Sequence, residues 1–326
     1  MTATFQPTPA RARRGRPIAA ILTAIAVAIY VGAALVTGQT SQLSFDGVVG
    51  LVQRTVALGL VALGQTFVIL VASIDLSVAA LISTVAVLAS FLMNGDPAMM
   101  LPAVAACLAL SALLGLANGL LVAYWGINSL IATLGTGLIV QGVLAAAFTY
   151  LPGAVAPSFL TLAYGGPFGV SWAILLFALL AIVAAFALNR TLFGARLFAV
   201  GGNPAGARLA GIRTERYVLA AHVACSTLAG VAGLYLAARL QSGTPWIGRD
   251  GIYDLESIAV VVIGGTALSG GRGGIGGTLA GVLLFACLDG AFNMLGVDAF
   301  LKQVLRGAVV IAAVAVHSVR NKGHVA

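Results

Sequence analysis

Apolar runs of close to twenty residues follow one another from the first arginine cluster almost to the C-terminus, and this recurrence limits the fold more than any other feature. A helix needs about 20 such residues to cross a bilayer. Only 8% of the residues are charged, whereas a soluble domain carries about a quarter. A chain of this composition cannot cover a water-facing surface. In lipid, helices satisfy their own backbone groups, so the expected fold is all-α: a polytopic transmembrane helical bundle. About ten spans are expected, near 17–37, 50–73, 76–94, 98–124, 129–149, 170–189, 217–239, 254–270, 274–292 and 300–319. The pairs at 50–94 and 254–292 are the least regular, because polar or glycine-rich breaks separate short runs.

Charge sets the expected orientation. The net charge is +8, carried by an N-terminal tail ("RARRGR"), the segment Arg190 to Arg216, and a short C-terminal tail with Arg320 and Lys322. Basic residues beside spans mark the cytoplasmic side, and an even number of spans puts both termini there. The expected organisation is a basic tail at 1–16, a transmembrane domain at 17–319 with a cytoplasmic loop at 190–216, and a C-terminal tail at 320–326. The basic residues form no single face, so nucleic acid is not an expected partner; membrane lipid is. Cys107, Cys225 and Cys287 lie in apolar spans and imply no disulfide framework.

The stretch "IGGTALSGGRGGIGG" fits the frame G-x-G-x-x-G at Gly271, Gly273 and Gly276. A dinucleotide site needs a parallel sheet behind such a loop, and the flanking runs are long enough to be spans instead. The expected role is a tight turn where glycine lets backbones come close, with no bulky residue tolerated at Gly273 or Gly274. No phosphate loop of the form G-x-x-x-x-G-K-[ST] occurs, nor any H-E-x-x-H, C-x-x-C or G-x-S-x-G motif. No catalytic set, metal site or cofactor is therefore expected on this chain. A faint internal echo pairs "FVILVASIDLSVAA" with "VVVIGGTALSGG", aligned on Leu-Ser; transporters often contain such repeats.

Ionised side chains in a bilayer cost at least about 2.5–3.5 kcal/mol, which singles out Arg54, Asp75, Glu256 and Asp289. Asp75 could equally cap a helix. Uncharged polar residues suit the passage of a neutral hydroxylated solute, though each also serves as interhelical glue. The candidate pathway set is Gln65, Asp75, Ser77, Asn118, Asn128, Thr133 and Glu256. For His222 a hydrogen-bonded packing role is favoured. In the loop, Asn203 suits an N-cap, Pro204 the first helical position and Gly211 the stop. A helix that short is marginal alone, which favours a docking element for a cytoplasmic protein.

The motifs "GQTFVILVASIDLSVAAL", "ANGLLVAYWGINSLIATLGT", "FAVGGNPAGARLAGI" and "YDLESIAVVVIGGTALSGGRGGIGGTLAGVLL" resemble, in order, those of the permease subunits of bacterial sugar-importing ABC transporters of the ribose/xylose/galactofuranose type. Ala72-Ser73 stands where that family more often has Gly-Gly, and Ala79 where Gly is common. The resemblance implies a multi-pass inner-membrane permease for a monosaccharide, a pentose such as ribose or xylose or a related simple sugar. It also implies a second permease subunit, cytoplasmic ATPase subunits that hold the ATP and magnesium, and a periplasmic sugar-binding protein. By the same resemblance Gly202, Asn203, Pro204, Ala207, Arg208, Leu209, Gly211 and Ile212 form the coupling helix that enters the ATPase. The alternatives are a permease of the branched-chain amino acid type and a stand-alone secondary carrier, which would need Asp75 and Asp289 for a coupling ion.

Overall fold

The structure is a computed structural model that describes residues 15–148, 153–298, 300–308 and 311. The two expected tails, apart from 15–16, lie outside these residues. The helices are α1 (Gly15–Val36), α2 (Phe45–Leu70), α3 (Val78–Met93), α4 (Met100–Ala123), α5 (Ser129–Ala147), α6 (Thr161–Tyr164), α7 (Trp172–Arg190), α8 (Leu192–Gly202), α9 (Pro204–Leu209), α10 (Thr214–Leu240), α11 (Ile247–Asp250), α12 (Tyr253–Ile263) and α13 (Ile275–Met294). Residues 300–308 are also helical, and no strand occurs among the described residues.

Seven of these helices, α1, α2, α4, α5, α7, α10 and α13, are long and apolar enough to cross a membrane. The runs expected as spans at 76–94 and 254–270 form α3 and α12, of 16 and 11 residues. At 1.5 Å per residue these reach only about 24 and 16 Å, short of a hydrocarbon core of about 30 Å. The last expected span, 300–319, lies mostly outside the described residues. Between Arg190 and Arg216 the structure has two helices, α8 and α9, where a loop with one short helix was expected.

The two short helices adjoin interruptions built alike, one before α3 and one after α12. Ala72 takes a left-handed conformation (φ 59°), Ala72 N donates to Ile69 O at 2.9 Å, and Ser73 N donates to Val68 O at 3.0 Å. At the end of α12, Gly265 is left-handed (φ 93°), with Gly265 N on Val262 O at 2.9 Å and Thr266 N on Val261 O at 3.2 Å. Both are Schellman stops, which satisfy carbonyls that a helix end leaves bare. The internal echo is thus present as geometry, but it aligns Ala72 with Gly265, one residue off the Leu-Ser register. The two breaks also touch: Gly271 N donates to Leu70 O at 2.9 Å.

α10 lies at the centre, packed against α2, α3 and α4, while α1 packs on α13 and α13 on α2. Small residues make these approaches possible, because packing rather than water exclusion holds helices together in lipid. A Cβ at Gly115 of α4 would stand 2.7 Å from Val223 Cα, and one at Gly277 of α13 would stand 1.9 Å from Gly264 O. The glycine-rich turn therefore serves close helix contact, as expected. At Gly273 a Cβ would strike Thr266 side-chain atoms at 2.3–2.6 Å, whereas nothing lies within 4 Å of one at Gly274. The expected intolerance at Gly274 is corrected: its extended backbone (φ 160°) and open surroundings accept a side chain. Gly277→Val is expected to lower the amount of protein in the membrane several-fold, because overpacking against backbone costs about 1–3 kcal/mol or more; quantitative immunoblotting of membrane fractions measures this. Unaltered abundance would show that α12 and α13 can separate freely.

Candidate functional site

Non-helical backbone inside a bundle needs a partner for every free amide. The break at 71–77 meets this demand mainly through side chains from two helices, α2 and α5, and from its own Asp75. Ser73 N uses Val68 O; Ile74 N donates to Ser129 Oγ (3.3 Å), Asp75 N to Gln65 Oε1 (3.4 Å), Leu76 N to Thr133 Oγ1 (3.0 Å), and Ser77 N to Asp75 Oδ1 (2.9 Å). Gln65 Nε2 returns a bond to Asp75 O at 2.7 Å. Five consecutive donors are satisfied without a helix.

Asp75 is the centre of a larger network. Its Oδ1 also accepts from Ser77 Oγ at 2.6 Å, Ser77 Oγ accepts from Asn118 Nδ2 at 2.8 Å, and Asn118 Oδ1 accepts from Thr136 Oγ1 at 2.7 Å. Its Oδ2 accepts from Ser226 Oγ at 3.4 Å and stands 3.6 Å from His222 Nδ1. His222 Nε2 lies 2.9 Å from Ser73 Oγ. Gln65, Asp75, Asn118, Thr133, His222 and Ser226 are completely buried. The nitrogen–oxygen gap at Nδ1 is too long for a hydrogen bond, and that ring nitrogen has no other partner.

Of the candidate pathway residues, Gln65, Asp75, Ser77, Asn118 and Thr133 come together here. Asn128 and Glu256 do not. Asn128 is exposed and caps α5, its Oδ1 accepting from Leu130 N at 2.9 Å. Glu256 lies on α12 beside the last described helix. Arg306 Nη1 is 2.9 Å from Glu256 Oε1, off the hydrogen-bonding direction, and Arg306 Nη2 is 2.5 Å from Asp289 Oδ1. Sequence reasoning passed over Ser73, Thr136 and Ser226 and gave His222 a packing role. His222 and Ser226 sit four apart on α10, so one face of that helix carries both; that spacing was the available signal.

The segment expected to couple is built around α9, a helix of 6 residues. Asn203 caps it, accepting from Gly206 N at 2.9 Å, and Pro204 begins it. Gly211 (φ 78°) ends it in a third Schellman stop, with Gly211 N on Arg208 O at 2.9 Å and Ile212 N on Ala207 O at 3.0 Å. Ala207 is buried, and Ile212 packs against the core. Arg208 folds back on α10, reaching Thr214 Oγ1 and Glu215 Oε1, each at 2.9 Å. Leu209, by contrast, is 92% exposed. Gly202 is exposed at the end of α8.

α9 is joined to the break through Gly201. A Cβ on Gly201 would lie 1.7 Å from Leu70 O and 2.7 Å from Gly271 N. The end of α8, the end of α2 and the glycine-rich turn therefore share one backbone contact. A cavity of about 320 Å³ adjoins it, lined by Ser73 of the break, Asn128 and Ser129 at the start of α5, and Pro204 and Arg208 of α9. No group of His, Cys, Asp and Glu that could hold a metal ion occurs among the described residues.

Residues 47–314 match a family model described as "Branched-chain amino acid transport system / permease component". The chain belongs to this family of transport permeases. The permease is 34% identical over 281 residues to the ribose import permease protein RbsC of Escherichia coli strain K12, covering 84% of this chain and 86% of that protein. It is 35% identical over 283 residues to RbsC of Bacillus subtilis, covering 82% and 83%. To the L-arabinose ABC transporter permease protein AraH of Azospirillum brasilense it is 35% identical over 268 residues, covering 81% and 78%. No solved structure matches the chain. Family and apolar helices together make it a multi-pass membrane protein of the ABC importer class, a permease.

Proposed function

We propose that this permease is the membrane subunit of an ATP-driven importer of a simple sugar in the bacterial inner membrane, with both termini cytoplasmic. A second permease subunit, cytoplasmic ATPase subunits and a periplasmic sugar-binding protein complete it. α9 carries this reading: a capped, rigidly mounted helix that leaves one large apolar side chain, Leu209, in the open. The chain has no phosphate loop, so ATP and magnesium belong to the partner that Leu209 meets. Basic residues support a cytoplasmic position for this end: Arg190, Arg196, Arg208, Arg213, Arg216 and Arg272 cluster there against Glu215 alone. The sugar rests on the ribose, galactose and arabinose permeases among the relatives.

The family description favours a second reading, branched-chain amino acids. Uptake by cells carrying the complete transporter, compared with a deletion of this chain, separates the two. Loss of labelled D-ribose, L-arabinose or D-galactose uptake is expected, with leucine uptake untouched; the reverse result would assign the amino acid reading.

Leu209→Asp is expected to reduce co-purification with the ATPase at least about tenfold, since burying a leucine contributes roughly 1.5–3 kcal/mol. Its exposure means that the bundle itself should not weaken. Retention of the ATPase at wild-type yield would exclude Leu209 as the anchor. Arg208, tied to Glu215 and Thr214, serves to hold α9 against α10.

A further inference from the structure

The cavity beside α9 has a wall with a definite chemistry. Its hydrogen-bonding groups are Ser73 from the break, Asn128 and Ser129 from α5, and Arg208, Thr214 and Glu215 from the corner between α9 and α10; valines supply most of the rest. Its volume of about 320 Å³ is at the small end for ligand sites, which run from about 300 to 1,000 Å³. One five- or six-carbon ring fits, whereas a nucleotide or peptide does not.

Charge narrows the class further. The two charged groups of the wall, Arg208 and Glu215, are 2.9 Å apart and neutralise each other. An anion would meet the Glu215 carboxylate and a cation the Arg208 guanidinium, each at the expense of the existing pair. A neutral ligand meets neither penalty. Ser129 keeps its hydroxyl proton and Asn128 its amide donors, because both serve only as acceptors, from Ile74 N and Leu130 N; the Ser73 and Thr214 oxygens, already bonded to His222 and to Arg208 and Glu215, keep acceptor capacity. That combination suits a polyhydroxylated molecule, with the valines against its C–H face.

Position supplies the consequence. One side of the cavity is α9 and the other is the break that Gly201 and Gly271 clamp to α8. A molecule lodged there spans both and opposes any approach of α9 toward the break. We infer that this cavity is a binding site for one neutral monosaccharide on the α9 side, and that its occupancy restrains α9, so that sugar accumulating on that side slows further import. The inference rests on the sugar-importer reading.

The test uses the complete transporter in inside-out membrane vesicles. Ser129→Cys provides a thiol in the cavity wall for a membrane-impermeant maleimide, and the native Cys107, Cys225 and Cys287 are all buried. D-ribose, L-arabinose and D-galactose are tried singly, with sodium phosphate as the anionic control. At about 50 mM, a sugar binding with a dissociation constant near 10 mM slows labelling about sixfold, and phosphate leaves it unaltered. Ala123→Leu, which fills the cavity from α4, removes the protection. Asn128→Cys, at an exposed position, is read in the same way in case the first variant assembles poorly. Labelling at one rate with all three sugars overturns the site, as does protection that survives Ala123→Leu, or absence of labelling in both cysteine variants. Sugar uptake without protection rejects this inference alone; absence of uptake of all three sugars rejects the sugar reading on which it stands.

Discussion

Proline in place of Ala207 is expected to abolish uptake while the permease remains in the membrane at close to its normal amount. Ala207 N donates to Asn203 O at 2.9 Å, and Ala207 O accepts from Ile212 N at 3.0 Å. Proline removes the first donor, and its ring collides with the Asn203 carbonyl, at about 3 kcal/mol or more. A helix of 6 residues has too few hydrogen bonds to absorb that loss. Its final turn unwinds, and Leu209 loses its fixed place. Because α9 lies outside the helices long enough to span the membrane, insertion is not disturbed. A loss of about 3 kcal/mol corresponds to a roughly hundredfold fall in uptake at equal abundance. Labelled-sugar uptake normalised to membrane abundance is the measurement. Normal uptake would remove α9 from the mechanism, and a matching fall in abundance would give Ala207 a folding role instead.

The sequence and the structure agree where local signals decide. Long apolar runs became helices, and the cap, proline and glycine of α9 stand where Asn203, Pro204 and Gly211 put them. They part where partners distant in sequence decide. α2 stops at Leu70 although neither glycine nor proline follows at once. Ala72 adopts a left-handed conformation there, which a residue with a Cβ resists by about 1–2 kcal/mol. What holds the stop is contact with the glycine-rich turn some two hundred residues further on, through Gly271 N and Leu70 O. α8 is hidden for the same reason. Gly194, Gly201 and Gly202 lower its local helix propensity, yet a Cβ added at Gly201 would stand 1.7 Å from Leu70 O of the distant α2, and one at Gly194 would stand 2.1 Å from Leu188 O at the end of α7. Glu256 shows the limit of reading charges one by one. It is a buried carboxylate, but its partner is Arg306, which also holds Asp289, and it contributes nothing to the network around Asp75.

Asp75 separates two roles that the sequence could not. As a cap, its Oδ1 takes the Ser77 amide and hydroxyl; as a charge, its Oδ2 faces Ser226 and His222. Asp75→Ala removes both roles and leaves buried donors without an acceptor, at about 1–3 kcal/mol each, so abundance and uptake should fall together. Asp75→Asn keeps an oxygen for the two Ser77 bonds and exchanges the other for an amide donor. With the carboxylate, the proton of His222 belongs on Nδ1, and Nε2 accepts from the Ser73 hydroxyl. Replacing the negative oxygen 3.6 Å away by an amide NH2 removes the electrostatic preference for a proton on Nδ1 and favours the opposite tautomer, in which Nε2 donates to Ser73 and frees its hydroxyl proton for the cavity. The expected result for Asp75→Asn is therefore near-normal abundance with uptake reduced about tenfold, and uptake assays paired with immunoblots over both variants measure it. If the asparagine variant instead loses protein as fully as the alanine variant, the carboxylate charge is needed to fold the break, and transport through this network has no separate support. If it transports normally, Asp75 is a cap and nothing more, and the His222 tautomer is without consequence for the cavity wall.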